Sequence, residues 1–144
     1  MSIELEKHDG VATVALNRPE KLNALTDEMH VRLIDVFGEL AADDAVRSVV
    51  LIGKGRAFCS GSDVGGMLKA DLAENRKRMQ QRHHRMIQAI AYLEKPVIAA
   101  VRGPVAGIGF SIALACDLII ASETARFSQV FRNIGLVPHG RSII

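Results

Sequence analysis

Two apolar runs, RSVVLIGKG at 47–55 and KPVIAAVRG at 95–103, constrain the fold of this chain more tightly than any other feature. Both are rich in valine, isoleucine or alanine, lack polar alternation in their centres, and run into glycine. Short unbroken runs bounded by such breakers read as buried strands. Each then enters a glycine-rich loop, GKGRAFCSGSDVGG or VRGPVAGIG, and each loop opens onto a helical pattern. Strand, loop, helix and strand in repetition, with crossover connections, define an α/β protein.

The flanking sequence fits that alternation. IELEKHDGVATVALNRP alternates around Asp9-Gly10, which predicts a hairpin of strands over 2–7 and 11–16. Thr26 is placed to cap a helix whose apolar residues Met29, Leu33, Val36, Phe37 and Leu40 follow a helical period. A long helical segment spans about 67–93, a second covers 107–116, and DLIIASETARFSQ returns to strand.

Composition excludes several classes. The 144 residues fit one domain, 1–144, and 49% hydrophobic with 24% charged residues is the balance of a folded globule. A net charge of +2 is too small to make nucleic acid the main partner. The basic cluster Arg76, Lys77, Arg78, Arg82 and Arg85 reads as a solvated helix face, and His83 with His84 as an exposed pair on it. The longest apolar region, 96–122, is interrupted by Arg102, Pro104 and Asp117, so no membrane helix is expected. Cys59 and Cys116 lack metal-type spacing and are expected as buried, reduced thiols, which fits a cytoplasmic setting. MSIELEKHDG is charged and has no apolar centre, unlike a signal peptide.

In α/β sheets, ligands collect beyond the carboxyl ends of strands, where the two glycine loops lie. Glycine lets backbone amides approach a ligand, and a helix N-terminus adds partial positive charge. Two such loops meeting can point two N–H groups at one oxygen. Tight turns and close strand–helix packing would use the same glycines. A phosphate loop is disfavoured, since no Gly-Lys-Ser/Thr ending is present.

Four ordered blocks carry a resemblance: LNRPEKLNALT (16–26), GRAFCSGSD (55–63), KPVIAAVRGPVAGIGFSIALACDLIIAS (95–122) and ARFSQVFRNIGLVP (125–138). Together they resemble the enoyl-CoA hydratase/isomerase (crotonase) superfamily over almost the whole chain. The resemblance implies a crotonase-like spiral of ββα units that binds acyl-CoA thioesters, with coenzyme A as part of the substrate and no separate cofactor or metal. It also implies that the backbone amides of Ser62 and Ile108 stabilise a thioester enolate. Many relatives have a third glycine where Ile108 stands, so its side chain is expected on the core side. Ser62, Asp63, Val64 and Gly65 resemble the acyl-CoA contact run, with Gly107 and Gly109 flanking the second amide. Lys21, Leu22 and Ala24 resemble the loop that lies along coenzyme A.

The same alignment exposes departures. Ser111 stands where family hydratases keep one glutamate, and Phe131 where they keep the other. His139 in GLVPHG occupies the place of an acid used by isomerase-type relatives and by a chlorobenzoyl-CoA dehalogenase, whose helix histidine corresponds to His84. Histidine titrates near neutrality and can move a proton between carbons of an enolate. The resemblance therefore implies an isomerase or lyase, isomerase-type rather than hydratase, with His139 as proton carrier and Ser111 assisting. The alternative is a non-catalytic acyl-CoA-binding or assembly protein that kept the fold. The sequence ends where relatives continue, so the family's C-terminal helices are expected to be missing; with them, a homo-oligomer, trimer or hexamer, is expected.

Overall fold

The computed structural model describes residues 1–63, 65 and 71–129. Val64 and the segment holding Phe131 and His139 lie outside the described residues. β1 (Ile3–His8) and β2 (Val11–Leu16) form the expected hairpin, paired antiparallel from Ile3 with Leu16 to His8 with Val11. Asp9 and Gly10 both take positive φ, 49° and 81°, as a tight two-residue turn matched to strand twist requires.

From there the chain winds in one direction. β3 (Ser48–Gly53) lies parallel to β2, β4 (Val97–Val101) parallel to β3, and β6 (Leu118–Ala121) parallel to β4. The five-stranded order β1-β2-β3-β4-β6 never steps backward. Between these strands lie α1 (Asp27–Ala42), then α2 (Leu72–Arg78), a π turn (Met79–His83) and α3 (His84–Ala91), then α4 (Ile108–Ala115). The helix expected over 67–93 is thus interrupted, within its described part, by one wide π turn. Crossovers of one hand place successive helices on one face, and α1 does pack on α3. Val49, Leu51, Val97, Ala99 and Val101 are buried beneath them, while Val50, Ile52, Ile98 and Ala100 on the opposite face are half-buried.

A second, smaller parallel ladder runs beside the first. β5 (Pro104–Ala106) pairs with β7 (Arg126–Ser128), Cys59 bridges to Val105, and Leu25 bridges to Ser62. Each turn of the chain therefore supplies a long strand, a short one and a helix, which is a spiral of ββα units. The sequence reading placed no strand at 104–106; three residues between two glycines carry no periodic signal.

Local chemistry pins the ends of these elements. The Thr26 hydroxyl accepts from Met29 N at 3.3 Å, and all five apolar residues of the predicted α1 stripe are buried. Lys95 Nζ donates to Leu40 O and Asp43 O at 2.5 and 2.6 Å, satisfying carbonyls at the end of α1 that have no helical partner. Asp117 accepts from Val97 N at 2.8 Å, joining the start of β4 to the start of β6. On β6, Leu118, Ile119 and Ile120 are exposed, as is Phe127 on β7.

Two side chains of the basic helix depart from the sequence expectation. His84 is exposed, but its neighbour His83 is buried, because the π turn rotates it against α1. There it stacks on His30, ring centroids 4.5 Å apart and planes 8° from parallel. Arg82, also taken for solvated, forms an ion pair with Asp27 in the first turn of α1. His30 is 1% exposed; its Nδ1 lies 2.8 Å from Thr26 O, which fixes the proton on that nitrogen. Among the described residues, its Nε2 has no hydrogen-bond partner. Burial holds the His30 imidazole below its ordinary range, aided by Arg82 and opposed by Thr26 O and Asp27.

Glycine substitutions separate two roles. Gly38 sits mid-helix with open space where a Cβ would lie, so Gly38→Ala is expected to stabilise by about 0.5–1 kcal/mol. Gly103 has φ +57°, and a Cβ there would fall 1.9 Å from Arg56 O. Gly103→Ala is expected to cost at least about 2 kcal/mol; denaturant melts that rank the two variants otherwise would contradict the packing. The His30 site predicts a pH effect. Above about 6.5 the ring is neutral folded and unfolded; below it, the unfolded chain takes up a proton that the buried ring resists. Stability should fall as pH drops through the lowered folded value. His30→Leu should flatten that fall in thermal melts between about pH 7.5 and 5.5, and equal slopes would contradict a buried neutral ring.

Candidate active site

The two glycine loops meet at the ends of neighbouring short strands. Cys59 N donates to Pro104 O at 3.1 Å and Ala106 N donates to Cys59 O at 3.0 Å, which sets Cys59 opposite Val105. Ser62 and Ile108 each lie three residues beyond that pair on the two segments it joins, Ser62 in the loop after Cys59 and Ile108 at the first position of α4. The loops approach closely at Gly109, where a Cβ would fall 2.5 Å from Cys59 O. Glycine at 109 therefore lets the first turn of α4 rest directly on the Cys59 backbone.

Strand geometry fixes which way the Ser62 amide faces. Leu25 N donates to Gly61 O at 2.8 Å, and Asp63 N donates to Leu25 O at 2.9 Å. A parallel bridge of this form uses the groups on either side of Ser62 and leaves its own N–H on the opposite edge. That edge faces the unit carrying β5 and α4. Among the described residues, Ser62 N–H has no acceptor, and neither has Ile108 N–H, the first amide of α4. Gly107 before it has φ 56° and ψ −126°, a conformation open to glycine alone. The Ile108 side chain is 1% exposed and belongs to the core, as expected from the sequence.

The remaining candidates fall into two groups around these amides. Ser111, one helical turn inward, is fully buried, and its N–H donates to Gly107 O at 3.2 Å. Lys21, Leu22 and Ala24 line the loop after β2, where a short 3₁₀ turn (Pro19–Lys21) leads into Leu22 and Asn23 at φ 51° and 55°. Lys21 is exposed, and Leu22 O accepts from Ser60 N at 3.0 Å, so this loop abuts the one holding Ser62. Asp63 is half-buried and Gly65 exposed, the Asp63 Oδ1 accepting from Gly65 N at 3.1 Å. That bond, followed by the Arg18 guanidinium, holds the Asp63 carboxyl below its ordinary range.

Sequence reasoning passed over Asn23 and Arg18. Asn23 is fully buried, accepts from Arg18 N at 2.7 Å, and donates to Lys54 O and Ala57 O at 2.9 Å each. Its signal was legible in principle: asparagine tolerates the left-handed conformation that a tight loop demands.

Burial pushes the Cys59 and Cys116 thiols each up to about 12, so neither is a nucleophile near neutrality. Among the described residues, no group of three or more histidine, cysteine or acidic side chains is placed to hold a metal, and no helix is long and apolar enough to cross a membrane.

Comparison with known proteins gives this geometry its context. A family model described as enoyl-CoA hydratase/isomerase matches residues 6–143. The 1,2-epoxyphenylacetyl-CoA isomerase of Escherichia coli is 38% identical over 135 residues, 90% of this chain and 50% of that protein. The short-chain-enoyl-CoA hydratase of Clostridium acetobutylicum is 39% identical over 138 residues, 95% of this chain and 52% of its own length. An enoyl-CoA hydratase from Mycobacterium avium subsp. paratuberculosis, solved by crystallography, superposes with a TM-score of 0.83 at 39% identity, covering 97% of this chain and 52% of that one. The chain spans about half the length of the curated relatives it matches. With its spiral of ββα units and a family match across nearly all its residues, this chain belongs to the enoyl-CoA hydratase/isomerase family and has the crotonase fold.

Proposed function

We propose that this chain binds an acyl-CoA thioester with its carbonyl oxygen between the Ser62 and Ile108 N–H groups, and that its chemistry is isomerase-type. The observation that carries the reading is that two amides with no acceptor among the described residues lie on the segments joined by the Cys59–Val105 bridge, three residues beyond it on each. Removing an α-proton from a thioester moves negative charge onto that oxygen. Two fixed donors stabilise it without reorganising, and a single donor of this kind contributes about 3–4 kcal/mol in comparable sites. The partial positive charge at the start of α4 adds to the effect. Lys21, Leu22 and Ala24 would lie along coenzyme A, with Ser62, Asp63, Val64, Gly65, Gly107 and Gly109 bordering the acyl group.

An enolate also needs a proton carrier. The hydratase reaction adds water and draws on two glutamates, whose places hold Ser111 and Phe131 here. A buried serine, with an alkoxide far above neutral pH, does not activate water unaided. His139 can carry a proton from one carbon of the enolate to another, which is double-bond migration and needs no water.

A second reading follows from the same buried Ser111: an acyl-CoA-binding or assembly protein that has the donors and no base. Conversion of a 3-enoyl-CoA to its 2-enoyl isomer, with binding followed in parallel, separates the two. The isomerase reading expects turnover and at least a tenfold loss in His139→Ala, about 1.4 kcal/mol of barrier. Saturable binding with no turnover would favour the second reading, and no binding at all would contradict both.

A further inference from the structure

The Ser62 amide is only as well aimed as the loop that carries it, and that loop is held from behind by one cation. Arg18 Nη1 donates to Ala24 O at 3.0 Å and to Asp63 Oδ2 at 2.9 Å. Ala24 and Asp63 belong to the two segments that the Leu25 bridge also joins, through Leu25 N to Gly61 O and Asp63 N to Leu25 O. Ser62 is therefore enclosed by three links: backbone bonds on each side and a guanidinium closing the ring. The cation is itself anchored, because Arg18 N donates to Asn23 Oδ1, and buried Asn23 ties this loop to Lys54 O and Ala57 O.

Resting on the reading of Ser62 N–H as a thioester donor, we propose that Arg18 is a positioning residue whose bridge from Ala24 to Asp63 fixes the orientation of the Ser62 amide. The guanidinium suits this task. It presents several donors in a rigid plane and keeps its charge at every working pH. With a side-chain exposure of 20%, against 36% for Asp63, it is the less accessible member of the pair. Its donors are directed at the chain, one at a carbonyl and one at a carboxylate, so its role is distinct from that of a cation reaching for the phosphates of coenzyme A. A lysine in its place keeps the charge but offers a compact ammonium on a flexible stem instead of the planar Nη1 group that makes both bonds, so the bridge it forms is less fixed.

The test uses the full chain with cinnamoyl-CoA, whose conjugated thioester absorbs at longer wavelength when its carbonyl is polarised. Arg18→Met and Asp63→Asn are each expected to reduce the red shift of the bound thioester by about half or more, and in Arg18→Met the dissociation constant is expected to move by less than about threefold. Arg18→Lys, the conservative variant, is expected to fold as the parent does and to recover part of the shift. A full red shift in folded Arg18→Lys and Asp63→Asn proteins would overturn the proposal. So would weakened binding with the shift intact, which would make Arg18 a phosphate ligand. Absence of any red shift in the unsubstituted protein would instead contradict the two-amide site itself.

Discussion

The pairing of Cys59 with Val105 is the interaction on which the rest of this structure depends. It is a single parallel bridge, two hydrogen bonds of about 3 Å, yet it sets the register between two turns of the spiral. The two segments it joins carry Ser62 and Ile108, each three residues further along, one in the loop after β3 and the other at the helix start after β5. The bond tolerates little intrusion: Gly109 and Gly103 both lie where a methyl group would overlap backbone oxygen of the 56–59 segment. Close packing against that segment, rather than flexibility, is what these glycines provide.

The spiral also explains the division of labour among side chains. Helices on one face bury the apolar stripe of α1 and the core residues of β3 and β4, which supplies the bulk of the favourable free energy. Polar side chains act at the seams between units. Lys95 closes α1, Asp117 joins two strands, and Asn23 with Arg18 laces the loop after β2 to the loop after β3. Ile108 shows the two roles meeting in one residue. Its side chain is core, while its N–H, freed by position at the head of α4, has no acceptor among the described residues.

Most of this fold was legible in the sequence, because its signals are periodic or conformational. The Asp9-Gly10 turn, the Thr26 cap, the buried runs before each glycine loop and the four family blocks each named an element that is present. What escaped was set by contacts between distant residues. β5 is too short to show a period and exists because Cys59 and β7 pair with it. His83 reads as part of a basic helix, and only the π turn, which no local pattern announces, carries it onto His30. At the site, the residues chosen for their backbone amides fall where two loops converge. Asn23 and Arg18, which lace the loop after β2 to the loop after β3, were passed over because their partners lie on that other loop. His139 and Val64 belong to segments outside the described residues, so their expected roles rest on the sequence alone.

The central claim is that a backbone N–H, not a side chain, polarises the thioester at Ile108. Proline tests it directly, since it removes the N–H at a first helical position that tolerates it well. Ile108→Pro also loses part of a buried side chain, so Ile108→Ala serves as the comparison for lost packing. With bound cinnamoyl-CoA, the account predicts a red shift retained in folded Ile108→Ala and largely abolished in folded Ile108→Pro. Equal red shifts in the two variants would contradict it.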